Sequence, residues 1–286
     1  MKYAFIREHE QQFSVQRMCA VLGVVRSGYY AWKRRPQSRR AQANQALLGK
    51  VRQAFLHSRC TYGSVRIRRY WLKQGECYSR HRIARLMKLA QLTPVRTVKW
   101  HPTTTRQRPG ARVAPNRLNQ DFLASQPNQK WVGDITYIDT AEGWLYLAAL
   151  LDLYSRRIVG WAFGTTLDAK LVERAWQMAV DHRQPPTHLL HHSDRGSQYT
   201  SDAYLKRLEQ AGCTLSMSRT GNCYDNAVME SFFATLKGEC AVSQFATRAE
   251  AQTTIFEFIE VWYNRQRLHS SLGYTSPVDF EQPSGH

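Results

Sequence analysis

The chain has 286 residues and 43% apolar content, enough for one large core with a smaller one attached and too much for wholesale disorder. It contains no apolar run of about 18 residues, and its first stretch, MKYAFIREHEQQ, lacks the apolar segment of a secretion signal, so membrane and export readings are set aside. Its formal net charge is +18, laid unevenly: residues 1–130 hold 27 Lys+Arg against 4 Asp+Glu, and residues 131–286 hold 13 against 18. An arginine-rich basic front of this size predicts a polyanion partner, nucleic acid first, and the six scattered cysteines without a CxxC pair predict reduced thiols in a cytoplasm.

The basic half reads as short helices. Ser14 is placed to cap SVQRMCAVLGV, Gly23 breaks that pattern, and Ser27 is placed to cap SGYYAWKRR, which stops at Pro36. Two helices around a glycine turn suggest a helix-turn-helix, although any small helical hairpin reads the same way. A longer helix is expected over 38–57. In YGSVRIRRYWLKQGECYSRHRIARLMKLAQL, Ser64 and Ser79 are candidate caps, and Ile83, Leu86, Met87 and Ala90 supply an apolar face. This is the better helix-turn-helix candidate. With few acids nearby to neutralise them, Arg66, Arg69, Lys73, Arg82 and Arg85 are the expected DNA contacts rather than a merely solvated face.

Five prolines between 93 and 129 mark an extended linker, with Arg106, Arg108 and Arg112 available to lie along DNA. Strand texture then begins: KWVGDITYI (130–138), GWLYLAALLDLYS (143–155) and RIVGWAF (157–163) predict an antiparallel meander. A helix over 168–183, a strand over 187–194, a helix over 201–212, a strand over 214–219 and the helix containing AVMESFFATLKGE complete a mixed α/β layer. Thr247 and Glu250 are spaced as a capping box for a last helix reaching about Gln266. The expected organisation is a basic DNA-binding helical region (1–92), a linker (93–129), an α/β core (130–245), and a C-terminal helix and tail packed on that core (246–286).

Three carboxylates stand out. Asp134 lies inside an apolar strand, where an ionised group is costly unless paired, protonated or metal-bound. Asp194 ends the strand HHSD, and Glu230 opens a helix near its positive end. Three acceptor-only oxygen donors suit Mg²⁺ or Mn²⁺ rather than zinc, and two such ions could serve in-line phosphoryl transfer. Lys237, seven residues after Glu230, projects from nearly the same helix face and could hold a phosphate. Acidic strand ends are common in α/β domains, so spacing alone leaves an ordinary structural role open.

WVGDITYI, HHSDRGSQYTS and GNCYDNAVMESFFATLKGE together resemble the DDE signature of transposases with a retroviral-integrase-like core. The interval of 36 positions from Asp194 to Glu230, and the lysine seven residues later, belong to that pattern. LLDLYSRRIVGW, VWYNRQRLHSSLGYTSP and YGSVRIRRYW resemble flanking signatures of the second-frame (OrfB) product of two-frame bacterial insertion sequences. The resemblance implies an RNase H-like five-stranded mixed sheet flanked by helices and preceded by an all-α helix-turn-helix region. It implies that Asp134, Asp194 and Glu230 are catalytic and hold two ions, with Asp134 and Asp194 sharing one and Asp134 and Glu230 the other. It also implies hydrolytic cleavage at element ends followed by 3′-hydroxyl strand transfer. The implied partners are double-stranded DNA (terminal inverted repeats and target), further copies of the chain on that DNA, and a first-frame (OrfA) product; the implied setting is the bacterial cytoplasm, at the nucleoid. With no sustained heptad near its start, the chain looks like the catalytic half of a frameshift fusion.

The rival readings are a regulatory DNA-binding subunit that needs the longer fusion, and an RNase H-like nuclease without a transposition role. Among smaller features, His191 and His192 read as packing or phosphate-contact residues rather than metal ligands. Asp152 is expected to bond backbone or Arg156 or Arg157, Asp225 and Asn226 to cap the Glu230 helix, and Gly221 and Asn222 to form the turn before it. Trp131, Trp144, Trp161 and Trp262 read as core. The cluster Tyr263, Asn264, Arg265, Arg267 and His269 is expected to contact DNA or brace the catalytic helix.

Overall fold

The computed structural model describes residues 1–35, 38–95, 112–219, 223–240 and 244–282, with the side chains of 223 and 224 left aside. Arg106, Arg108, Pro36, Gly221 and Asn222 therefore lie outside the described residues. The chain divides into two compact units, Met1–Gln53 and Ala54–His286. Among the described residues no helix is long and apolar enough to cross a membrane.

The first unit holds α1 (Lys2–His9), α2 (Val15–Val21) and α3 (Arg26–Arg34), and α4 (Arg39–His57) runs from it into the second. Ile6, Met18, Cys19 and Tyr29 form its core. Ser14 caps α2 as expected, accepting from the Arg17 N–H at 3.4 Å. Ser27 does not cap α3, which begins at Arg26 behind Val25. Packing of Tyr29 sets the phase of this short helix more strongly than a serine cap worth about 1 kcal/mol can.

In the second unit α5 (Ser64–Lys73) and α6 (Arg80–Leu89) pair through Ile67, Trp71, Ile83, Leu86 and Met87. Gly63 rather than Ser64 is the cap residue of α5, and Ser79 caps α6 by position without a side-chain bond. The sheet follows: β1 (Lys130–Ile138), β2 (Leu145–Asp152), β3 (Ile158–Gly164), β4 (Leu190–Ser193) and β5 (Thr214–Met217), in the order β3-β2-β1-β4-β5. β1, β2 and β3 pair antiparallel, and β4 and β5 add in parallel on the other side of β1. This is the five-stranded mixed sheet expected from the sequence. β1 is central, buried by neighbours on both edges, which its Trp131, Val132 and Ile138 suit.

Helix α7 (Ala169–Arg183) closes one face of the sheet, its Leu171, Val172, Ala175 and Trp176 sharing a core with Val159 and Ala162 of β3. Its approach is so close at Gly160 that a Cβ there would collide with the Ala175 carbonyl and Ala179, which is why a glycine interrupts an apolar strand. α8 (Asp202–Gln210) precedes β5, and α9 (Ala227–Glu239) packs on β1 after a short 3₁₀ turn, Cys223–Asn226. α10 (Arg248–Glu257) continues into a π-helical turn, Phe258–Tyr263, and α11 (Pro277–Glu281) ends the described chain. One half of the expected capping box at α10 forms, the Glu250 N–H donating to Thr247 Oγ1 at 3.1 Å; Glu250 Oε2 accepts instead from the N–H of Ala246, one residue before the cap, at 2.9 Å.

Of the four tryptophans read as core, Trp131 and Trp262 are buried and Trp161 is half-buried. Trp144 is 49% exposed, set edge-on against Tyr137, because it precedes β2 in a turn that the sheet does not cover.

Candidate active site

Strand register brings the first two carboxylates together. β1 and β4 pair in parallel with Lys130 opposite Leu190 and Val132 opposite His192, so two further steps along each chain set Asp134 level with Asp194, just past the end of β4. Residues level with each other on adjacent parallel strands share a sheet face. The Ile135 N–H donates to Asp134 Oδ1 at 2.8 Å, and the Gly196 N–H donates to Asp194 Oδ1 at 2.9 Å. A Cβ at Gly196 would stand 3.0 Å from both Asp194 Oδ1 and Gln198 Oε1, so the turn is close-fitting there. The Arg195 guanidinium anchors the same turn on the Ser218 carbonyl at 2.6 Å.

α9 supplies the third carboxylate. Glu230 lies in its exposed first turn and Lys237 in its half-buried last turn, while Met229, Phe232, Phe233 and Leu236 are buried. The four groups sense one another. Burial, then the Asp194 carboxylate, then Glu230 push the Asp134 carboxyl well above the usual range, against the opposing pull of the Ile135 N–H and Lys237. Burial lowers the Lys237 ammonium while Asp134 draws it back up. On the other face of β1 lies Tyr199, its hydroxyl 3.5 Å from a Cβ built at Gly133. Burial, with Asp134 and Asp194 adding, raises that phenol well above its usual range, so it stays a neutral hydroxyl.

Among the described residues, no three His, Cys, Asp or Glu side chains are gathered closely enough to enclose a metal ion. The carboxylates form an open cluster rather than a closed cage. Their chemistry nevertheless fits a hard divalent cation: all donors are carboxylate oxygens, and the central one is destabilised as an anion by the other two. The two histidines stay outside it. His191 meets the Tyr204 hydroxyl at 2.9 Å, and His192 bridges the hydroxyls of Ser216 and Ser218 at 2.8 and 3.1 Å. Burial lowers them to about 3 and about 4, so both are neutral packing groups, as expected.

Asp225 has a different task from the one expected. Asn226 holds the N-cap position of α9 without a side-chain cap bond, and the fully buried Asp225 collects donors from elsewhere. They are Asn116 Nδ2 (2.9 Å), Gln120 Nε2 (3.2 Å), the Arg219 N–H (2.9 Å) and the Arg219 guanidinium (3.4 Å). Burial would raise this carboxyl, but hydrogen bonds from Arg219 and Gln120 outweigh it and hold it low. Residues 112–122, read as extended linker, are thereby tied to the start of the Glu230 helix. Ser216 of β5 accepts from the N–H groups of Arg117 and Leu118 in the same segment, and Arg112 pairs with Glu209 at 2.6 Å. Only the three-dimensional proximity of residues about a hundred positions apart exposes this network.

The tail braces the core, one of the two roles expected of it. Arg267 and Glu239 form a buried pair at 2.7–3.1 Å at the end of α9, and the Asn264 side chain pairs with both backbone groups of Ile158 at 3.0 Å. Glu281 accepts from Ser155, Arg157 and Arg183. Asp152 bonds the backbone N–H groups of Asn128 and Tyr154 as expected, and the Arg183 guanidinium stands 3.7 Å away.

The α5 residues chosen as DNA contacts point toward this tail. Arg66 lies over Tyr62, half-buried and lowered by burial; Arg69 lies over Tyr274 at 5.0 Å; Lys73 meets Asp279 at 3.5 Å. On α6, Arg85 is exposed and Arg82 half-buried. Arg69 and Lys73 remain exposed beside these contacts, while Arg66 is half-buried.

Family models match in the same places. An integrase core domain matches residues 124–223, a second integrase core model matches 211–277, and an HTH-like domain matches 42–100. The chain is 43% identical over 284 residues to the transposase InsF for insertion sequence IS3A of Escherichia coli (strain K12), covering 98% of each chain. It is 46% identical over 266 residues to an uncharacterized 31 kDa protein of insertion element IS600 from Shigella sonnei, covering 93% of this chain and 97% of that one. The chain belongs to the IS3-type insertion-sequence transposases.

It is accordingly a polynucleotidyl transferase of the transposase class. The first core match contains Asp134 and Asp194, the second contains Glu230 and Lys237, and the HTH-like match contains α5 and α6. Solved structures similar to the transposase include the simian T-cell lymphotropic virus intasome in complex with the PP2A regulatory subunit B56 gamma, at 13% identity and TM-score 0.48, covering 62% of each chain. Another is the HTLV-2 integrase catalytic core domain in complex with magnesium, at 14% identity and TM-score 0.44, covering 56% of this chain and all of that one.

Proposed function

We propose that the transposase cleaves and joins insertion-sequence ends with Asp134, Asp194 and Glu230 as its catalytic carboxylates. The observation that carries this is the charge arrangement at Asp134: a carboxylate inside a central strand whose anionic form is opposed by two neighbouring carboxylates. A fold accepts that cost where function uses it. Mg²⁺ or Mn²⁺ fits the donor set: Asp134 and Asp194 would hold one ion, and Asp134 and Glu230 a second. Such ions would supply Lewis-acid activation of a water or 3′-hydroxyl and neutralise charge on the phosphate. Asp134 would be the shared donor, and the Ile135 N–H holds its orientation. Asp194 is aimed by the Gly196 N–H, and Lys237 presents its ammonium to the DNA backbone. Strand hydrolysis frees a 3′-hydroxyl, and attack by that hydroxyl on a second phosphodiester exchanges one P–O bond for another.

Exposed Arg85, with Arg82 beside it, and the outer edges of Arg69 and Lys73 offer phosphate contacts for the terminal inverted repeats and target. Arg66 serves more to hold α5 against the tail. The domain scheme proposed is a basic helical region to residue 92, a connecting segment to 129, the catalytic core to 245, and a bracing tail. Assembly of several copies on DNA, partnership with a first-frame product, and action at the nucleoid in the bacterial cytoplasm complete this reading. Asp134→Asn, Asp194→Asn and Glu230→Gln should each reduce joining of pre-cleaved element ends by about 10³-fold or more, with end binding retained. Joining at the wild-type rate by any one of them would refute the assignment.

A further inference from the structure

The HTH-like match begins at residue 42 and leaves the first unit's helix pair unassigned. That pair is α2, a four-residue turn over 22–25, and α3. Gly23 takes a left-handed φ of +60°, its N–H bonds the Ala20 carbonyl at 3.2 Å, and the Val24 N–H bonds the Cys19 carbonyl at 3.0 Å. Lys2 Nζ adds a bond to the Leu22 carbonyl at 2.7 Å, and α1 packs against both helices. The turn is therefore built and fixed from three sides.

α3 has two distinct faces. Tyr29 is fully buried in the unit's core and Trp32 packs at its margin, whereas Arg26, Ser27, Tyr30, Ala31 and Arg34 are exposed. Contact with α1 is close enough that a Cβ at Gly28 would stand 2.5 Å from the Tyr3 hydroxyl. The unit holds 11 Lys+Arg against 2 Asp+Glu. One of those acids, Glu10, is turned to the Tyr29 hydroxyl at 2.6 Å and to Lys33 at 2.7 Å. This leaves an outer face with arginine at each end, Tyr30 between them, and Arg17 exposed near the start of α2. A nine-residue helix is about 13 Å long, a length that lies within a B-DNA major groove about 12 Å wide.

We infer that residues 14–34 are a second DNA-reading module, with α3 entering the major groove of duplex DNA. Arg26, Ser27 and Tyr30 face base edges, and Arg17 and Arg34 hold phosphates. Residues at the N-terminal end of the second helix are those such a motif presents to bases. The inference rests on the reading that this enzyme acts on DNA, but it concerns binding and not the carboxylates.

The test uses the full chain carrying Glu230→Gln, so that substrate is bound without being consumed, and selects from a duplex library with about 25 randomised base pairs. Arg26→Ala and Tyr30→Ala should each erase preference within one block of about 3–5 base pairs, by about tenfold per position, and leave preferences elsewhere intact. Arg26→Lys keeps the charge and the fold and should lose the same block while binding unselected duplex normally. Arg17→Ala should weaken all sequences alike and lower the slope of log affinity against log salt by about one. Unchanged selected sequences for both Arg26 variants and Tyr30→Ala would overturn the inference, as would preference of the unit for an RNA library over the duplex one. Failure of the catalytic reading would appear separately, as strand joining by the Glu230→Gln chain itself.

Discussion

Replacing Asp134 by Asn should make the protein more stable. Asparagine keeps an oxygen to accept the Ile135 N–H and keeps the side-chain shape, so the 2.8 Å bond survives. What it removes is the burial cost of the anion and its repulsion from Asp194 and Glu230, the three influences that push this carboxyl upward. Stability at neutral pH should therefore rise, and Tm with it, by about 2–4 °C for each kcal/mol gained in a chain of this size. The sign follows from linkage: a carboxyl whose folded pKa is raised costs nothing below its unfolded value near 4, where both states hold the proton. The cost grows as pH climbs from there to the folded value. Thermal melts of both proteins with chelator at pH 4, 6 and 8 should show curves that converge at pH 4 and separate above it. Millimolar Mg²⁺ should then narrow the gap at pH 8 by stabilising the wild type. A variant melting at or below the wild type at pH 8, or a gap independent of pH, would refute the electrostatic account of the site.

Asp225→Asn turns an amide N–H toward the Asn116, Gln120 and Arg219 donors, so it should slow strand joining by about tenfold or more while duplex affinity stays within about twofold; equal rates would remove Asp225 from the positioning of Glu230. Arg267→Ala leaves the Glu239 carboxylate buried beside α9 and should cost about 3–5 kcal/mol in urea unfolding. The double change Arg267→Met with Glu239→Leu should recover most of that loss, and a single variant as stable as wild type would show the pair to be incidental. Gly160→Ala forces α7 away from β3 and should cost about 1–3 kcal/mol in the same measurement; a neutral result would mean that the helix shifts freely.

The strand and helix order of the core was readable because each signal was local. Period-two apolar runs, glycine breaks and the Thr247–Glu250 box each report on a few consecutive residues, and the strands fall within a few positions of their expected limits. The three carboxylates could be singled out through their resemblance to the DDE signature, since spacing alone left an ordinary role open; parallel pairing of β1 with β4 sets two of them, Asp134 and Asp194, level with each other. Helix faces were not readable in the same way. The Arg66, Arg69 and Lys73 stripe satisfies the pattern of a DNA-facing surface, yet Tyr274 and Asp279, some two hundred residues later, meet it. Asp225 was legible as a helix-start residue and nothing more, because the donors that define its task come from Asn116 and Gln120.

By itself, then, the sequence determined which residues carry charge, which segments are periodic, and that one carboxylate lies inside an apolar strand while two stand at element ends, the last seven residues before a lysine. Tertiary structure alone decided which tail residues meet the α5 basic stripe, which acid anchors the helix of Glu230, and in which direction Asp134 is driven from its ordinary chemistry. Periodicity and capping depend on neighbours within a turn or two, whereas burial and Coulomb interaction depend on distance in space, which chain separation does not encode.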